Sequence, residues 1–387
     1  MINTLGSIKS WASPFNRISG TRREISENKT TEKNGSSWIL VMGYLGAVIG
    51  AGFASGQEIV QFFVVYGERG AWGALLAMLL FALCGGLLLH LAHREGIANY
   101  QELLTYLLGP SWGRAADFAL AIFLFLGIST MLSASGAVFY EHLYLPKNAG
   151  IISAYLLVVI LLATGKKGLI RSYNLLVPAK VLLLLGISAY AAFVVKADTL
   201  PAAAVINCPA DSRYWALSSL LYVAYNFSLA MVVLTEYQPV TNRAAGIRGA
   251  LGGGLLLGLL VVINYLALIK FLPEVLHYQV PMLYVAGRIS LSAKHVYTLV
   301  LWMGILTTAI ANAYGFAQRF ASLTGLAYGP CLALCMTLAL PVASQSFAGL
   351  VGKIYPLFGV LGVLIIAALL FRIMSGVLSS NKRKSRP

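Results

Sequence analysis

From residue 37 to about residue 375 the chain alternates long apolar stretches with short polar ones. Crossing a bilayer takes about 20 apolar residues, with a range of roughly 17 to 25. Ten stretches meet or approach that length. They are Ser37–Phe63, Trp72–Leu91, Ala115–Tyr140, Leu145–Thr164, Tyr173–Val195, Tyr214–Thr235, Gly249–Leu272, Val296–Phe320, Leu326–Val342 and Phe347–Met374. The fourth and ninth are short or flanked by proline, at Pro146 and Pro341. The pattern predicts an all-α integral membrane protein of about ten transmembrane helices. Among the connections, Tyr100–Tyr106 predicts a short surface helix, and the segment with Pro273, Pro281 and Tyr284 predicts an outer lid.

The polar gap at 196–213 divides the spans into two groups of five. Because five is odd, a repeated five-helix unit has to reappear inverted, a plan found in secondary transporters. The expected organisation is a polar cytoplasmic leader over 1–36, a first five-helix repeat over 37–195, an extracellular linker over 196–213, a second repeat over 214–375 and a basic cytoplasmic tail over 376–387.

Composition agrees. Hydrophobic residues make up 59% and charged residues 11%, with a mean hydropathy of +0.79, whereas a soluble domain carries about 25% charged residues. The net charge of +15 reads as orientation, since Lys and Arg collect in cytoplasmic loops. With both termini cytoplasmic, nineteen of them fall inside, eight outside, and Lys180 falls within the fifth span. A multi-pass plasma-membrane location follows. No nucleic-acid motif accompanies the charge, and the leader lacks a signal peptide's apolar core. Four sparse cysteines give no disulfide framework.

The chemistry concentrates in Gly46-Ala-Val-Ile-Gly-Ala-Gly-Phe-Ala-Ser-Gly-Gln-Glu58, inside the first span. Glycine weakens a helix by about 1 kcal/mol relative to alanine. Broken backbone inside a bilayer survives where protein buries it or where it lines a cavity. A helix interrupted there offers free N–H groups to an anion and free carbonyls to a cation. The spacing of Gly46/Gly50 and Gly52/Gly56 also fits a small-residue packing face. Glu58 can bind a substrate ammonium, accept a proton or pair with a basic residue.

This run resembles the first helix of the YkvI-type amino-acid permeases, within the amino acid–polyamine–organocation superfamily that shares the LeuT fold. The resemblance implies a substrate carboxylate on the amides of Gly50, Ala51, Gly52 and Phe53; independently of it, Tyr225, Asn226 and Ser228 of the sixth span read as pocket residues if that helix unwinds. The resemblance also implies a sodium site built from the carbonyls of Gly46, Ile49 and Gly304 and the hydroxyls of Thr307 and Thr308. Against that, threonine in membrane helices often bonds its own backbone. Lys180 offers a rival: its surroundings resemble the fifth helix of permeases in which a lysine ammonium replaces sodium, implying proton coupling. Snorkelling toward the cytoplasmic face, nine residues beyond Arg171, is the structural alternative.

Ser129, Thr130, Ser133 and Ser135 read as packing, Asn312 as an interhelical bond, and Glu236 as a boundary residue. His90 and His93 lack a third ligand for a metal. No catalytic triad or phosphate loop is present, and no cofactor is implied beyond a sodium ion or proton as coupling ion. The expected function is secondary active transport of a small amino acid or related amine. The rival is a non-transporting, amino-acid-sensing receptor subunit of the same fold.

Overall fold

The computed structural model describes residues 36–163, 166–196, 210–236 and 238–384. The leader, most of the 196–213 linker and the end of the tail lie outside them. The first span is three pieces: α1 (Ser36–Val48), α2 (Ala51–Ser55) and α3 (Gln57–Phe62). Then follow α4 (Arg69–Glu95), α5 (Tyr100–Leu108), α6 (Pro110–His142), α7 (Lys147–Leu162), α8 (Lys166–Phe193) and α9 (Trp215–Glu236). The chain continues through α10 (Arg243–Ile269), α11 (Pro281–Ile289), α12 (Leu291–Thr324), α13 (Tyr328–Ala343) and α14 (Phe347–Lys384).

Local sequence sets where several of these begin. Asn99 accepts a hydrogen bond from the Glu102 amide at the start of α5, and Asn242 and Ser290 do the same for Ala245 in α10 and Ala293 in α12. Each satisfies one of the amides that a helix leaves without an intrahelical acceptor. The surface helix expected near Tyr100 is therefore α5, stopped by Gly109 at φ 83°. The expected lid comprises a 3-10 turn over Glu274–His277 and α11.

Six helices among the described residues are long and apolar enough to cross a membrane. Three more, Lys147–Leu162, Pro178–Phe193 and Tyr328–Ala343, are apolar but shorter. At about 1.5 Å per residue, α7 and α13 reach only about 24 Å, so the spans that are short or proline-flanked in the sequence are the short helices. The fifth and eighth helices start earlier than their apolar cores, at Lys166 and Leu291.

The burial pattern is that of a protein in lipid. Leu79, Leu83, Ile160, Leu182, Leu338 and Leu364 are exposed, whereas Glu58, Lys180, Asn226, Asn264 and Thr307 are buried. Polar side chains in a bilayer face the bundle interior. Helix α10 packs closely on α4 because a Cβ on Gly254 would come within 2.6 Å of the Ala82 backbone, and one on Gly258 within 2.2 Å of Met78 Cα. Only hydrogen fits there, which is how small residues bring membrane helices together.

Candidate functional site: the broken first helix

The first helix breaks at two points. At Ile49-Gly50 the regular ladder stops: Gly50 is extended at φ −94°, ψ −169°, and its amide turns back to the Val48 carbonyl at 2.8 Å. At Gly56 the backbone adopts φ 79°, ψ −5°, a left-handed conformation that glycine reaches without a Cβ penalty. Ser55 holds this second break, donating to the Gly52 carbonyl and accepting from the Gln57 amide. The Tyr297 hydroxyl fixes it from α12 by donating to the Ala54 carbonyl at 2.7 Å.

Lys180 reaches the first break from α8. Its ammonium donates to the Ile49 carbonyl at 2.6 Å and to Thr307 Oγ1 at 2.9 Å. The side chain is 1% exposed, so it does not snorkel. Thr307 in turn donates to the Met303 carbonyl at 2.8 Å. Lys180 thus occupies the space between two of the five groups expected around a cation. The other three do not touch the ammonium. Thr308, one residue and about 100° further round α12, faces Gly50, where a Cβ would meet its Oγ1 at 2.8 Å. Gly304 keeps its carbonyl on the Thr307 hydroxyl at 3.1 Å, and Gly46 lines the adjoining vestibule.

On the other side of the break is a cavity of about 30 Å³, lined by Gly50, Ala51, Gly52, Glu58, Tyr225 and Asn226 among others. Phe53, expected beside them, is fully buried in the core and takes no part in the lining. Ser228 lines the vestibule instead. The sixth span does not unwind near Asn226: α9 is continuous. Asn226 Nδ2 donates to the Tyr222 carbonyl and Ser228 Oγ to the Ala224 carbonyl, each one turn back. The Glu236 side chain lies outside the described residues.

A vestibule of about 620 Å³ adjoins the small cavity, sharing Ala47, Leu229, Thr308 and Asn312 with it. It runs along the C-terminal halves of α9 and α12 to the exposed side chains of Gln101 and Gln318. At that end Arg319 forms an ion pair with Asp117 and donates to the Tyr100 hydroxyl at 2.8 Å. Toward the opposite end the rings of Phe62, Tyr222 and Tyr225 stand in contact, with centroids 5.4 to 5.8 Å apart. Beyond them lies a pocket of about 140 Å³ that includes Phe62 and Tyr214.

The same arrangement of a broken first helix and an intramembrane lysine belongs to a chain with a close relative by sequence. The chain is 32% identical over 348 residues to the uncharacterized membrane protein YkvI of Bacillus subtilis (strain 168), covering 88% of this chain and 96% of that protein. The chain belongs to the YkvI family. A second Bacillus subtilis (strain 168) relative, the uncharacterized protein YyaD, is 24% identical over 343 residues, covering 88% of this chain and 98% of that protein. No family model matches the chain.

Among solved structures, Mhp1, a nucleobase-cation-symport-1 family transporter, overlays with a TM-score of 0.46 at 12% identity, over 82% of this chain and 75% of that one. The manganese transporter of Eremococcus coleocola gives 0.45 at 15% identity, over 91% and 88%. Overlays this loose say nothing about chemistry in the YkvI family.

Sequence reading missed Phe123 and Tyr355, which line the cavity beside Tyr225. They come from α6 and α14, far apart in the chain, and no spacing rule links them. It also left Asn264 unremarked, although its Oδ1 accepts from Ser188 at 3.0 Å deep between α8 and α10.

Proposed function

We propose that this YkvI-family protein is a secondary active transporter of a small amino acid or related amine, in which Lys180 stands where a coupling sodium would otherwise bind. The observation that carries the reading is the placement of its ammonium on the Ile49 carbonyl at the helix break and on Thr307 of α12. A lysine buried in a membrane segment is costly and functional by default, and one that bridges a broken helix to its neighbour can tie cation binding to helix movement. The cavity at the break supports the same reading, since it adjoins a vestibule reaching the surface on one side and an aromatic cluster on the other. Such an arrangement suits alternating access, with one helix group rocking against another around a fixed site.

In this proposal the helices form two inverted five-helix repeats of LeuT type, over 37–195 and 214–375. The charge bias puts both termini in the cytoplasm and the vestibule on the cytoplasmic side of the plasma membrane. Ala51 and Gly52 at the start of α2 line the cavity, and Tyr225 and Asn226 contribute side chains to it. A proton shuttled by Lys180 is the favoured coupling ion. Sodium at Thr307 would have to share its oxygen with the ammonium.

The test is uptake of labelled amino acids and amines into proteoliposomes under an imposed proton or sodium gradient. Proton-driven uptake that disappears in Lys180→Met supports the reading. Sodium-driven uptake unaffected by Lys180→Met overturns the role of Lys180. Binding without uptake under either gradient returns the protein to the receptor class.

A further inference from the structure

Glu58 is 3% exposed and its Oε2 has no hydrogen-bond partner. The Tyr225 hydroxyl makes no other hydrogen bond and stands beside this carboxylate. Both line the small cavity at the helix break, together with Phe123 and Tyr355. The three rings form one wall, with centroids 6.4 Å (Phe123–Tyr225), 6.0 Å (Phe123–Tyr355) and 4.8 Å (Tyr225–Tyr355) apart. Among the described residues Glu58 enters no ion pair. The other buried charge at the break, Lys180, is engaged with Ile49 and Thr307.

A buried carboxylate with no basic partner among the described residues is strongly disfavoured unless a cation joins it, so a site of this kind is complementary to a cation. The wall decides which cation. Hard metal ions take six or more oxygen ligands, and among the described residues no cluster of three metal-binding side chains exists. Aromatic faces instead attract organic ammonium groups, most strongly where water is excluded.

The position of the carboxylate adds a second constraint. Glu58 Oε1 lies 2.0 Å from where a Cβ on Gly52 would be, directly over the backbone whose amides would otherwise receive a substrate carboxylate. With an ammonium bound, Glu58 is the anion beside this backbone, and a second carboxylate would be repelled.

We infer that the site takes a cationic amine, with its ammonium on Glu58 and against the rings of Phe123, Tyr225 and Tyr355, and that an α-carboxylate on the ligand weakens binding. This rests on the transport reading and narrows it to the amine class.

Matched pairs that differ only in the α-carboxylate test it on the purified full chain: cadaverine against lysine, and isobutylamine against valine, with Mn²⁺ as the metal probe. Ligand that binds the native state raises its thermal stability by mass action. The expected result is at least tenfold tighter binding of each amine than of its amino acid, lost at least tenfold in Glu58→Gln. Phe123→Leu should weaken the amines in the same direction without removing the carboxylate, and so keeps the test decisive if Glu58→Gln does not fold. Equal or tighter binding of the amino acids, amine binding indifferent to both substitutions, response to Mn²⁺ alone, or no response to any probe overturns the inference. Amines that bind but are never taken up defeat the transport reading only, whereas amino-acid uptake that survives Glu58→Gln defeats this inference only.

Discussion

The ammonium of Lys180 and the carbonyl of Ile49 lie 2.6 Å apart although 131 positions separate them in the chain. That contact ties the fifth span to the point where the first one breaks. Removing the donor while keeping the shape isolates its contribution. Leaving a buried acceptor unpaired costs about 1–3 kcal/mol, so Lys180→Met should lower thermal stability measurably. Gradient-driven uptake should be abolished in the same protein. A variant with lowered stability and unchanged uptake would reduce Lys180 to a structural strut.

Gly52 and Glu58 compete for one space. In Gly52→Ala the new methyl meets Glu58 Oε1 at 2.0 Å, Cδ at 2.8 Å and Cγ at 3.0 Å. Crowding of this kind typically costs about 1–3 kcal/mol. Shortening Glu58 to alanine in the same chain should recover most of that loss. A double-mutant cycle followed by thermal denaturation reads the coupling directly; purely additive effects would show that the two do not touch.

Gly56 is under a different constraint. Its φ of 79° places any L side chain in the left-handed region, at about 1–2 kcal/mol. A Cβ there also meets Met282 Cγ at 2.7 Å. Gly56→Ala should therefore destabilise the protein, and adding Met282→Ala should restore only the steric part. Complete rescue in a melting experiment would place the whole cost in packing rather than in the backbone.

Helix α10 offers an internal contrast. Gly258→Val and Gly254→Val push side chains into the α4 backbone and should abolish recovery of folded protein. Gly252 on the same helix has nothing within 4 Å of its Cβ position. Gly252→Ala should be neutral or stabilising by up to about 1 kcal/mol, the difference in helix propensity. Equal behaviour of the three by size-exclusion chromatography in detergent would contradict the proposed closeness of α4 and α10.

Much of the candidate site was legible from residue type alone. The glycines of 46–56 announced a break because glycine disfavours helix, and Lys180 announced itself because a charge in an apolar run is costly. The partners of Lys180 were only half legible. Ile49 and Thr307 were both singled out, but as ligands of a metal ion rather than of the lysine, since linear sequence carries no distance between the first, fifth and eighth spans. Whether the sixth span unwinds was left open by the sequence, and it stays helical for a local reason. Asn226 and Ser228 satisfy their side chains on carbonyls one turn back, which polar residues in a membrane helix do readily.

Sequence by itself determined that this chain is helical, embedded in lipid and interrupted in its first helix. Each of those follows from local energetics: apolar run length against bilayer thickness, and backbone propensity residue by residue. The tertiary structure decided which side of each helix faces which neighbour. It sent Thr307 to Lys180 and the adjacent Thr308 to Gly50, because successive residues on a helix point about 100° apart. It also gathered Phe123, Tyr225 and Tyr355 from three helices around Glu58, a juxtaposition set by helix packing and therefore absent from any stretch of sequence.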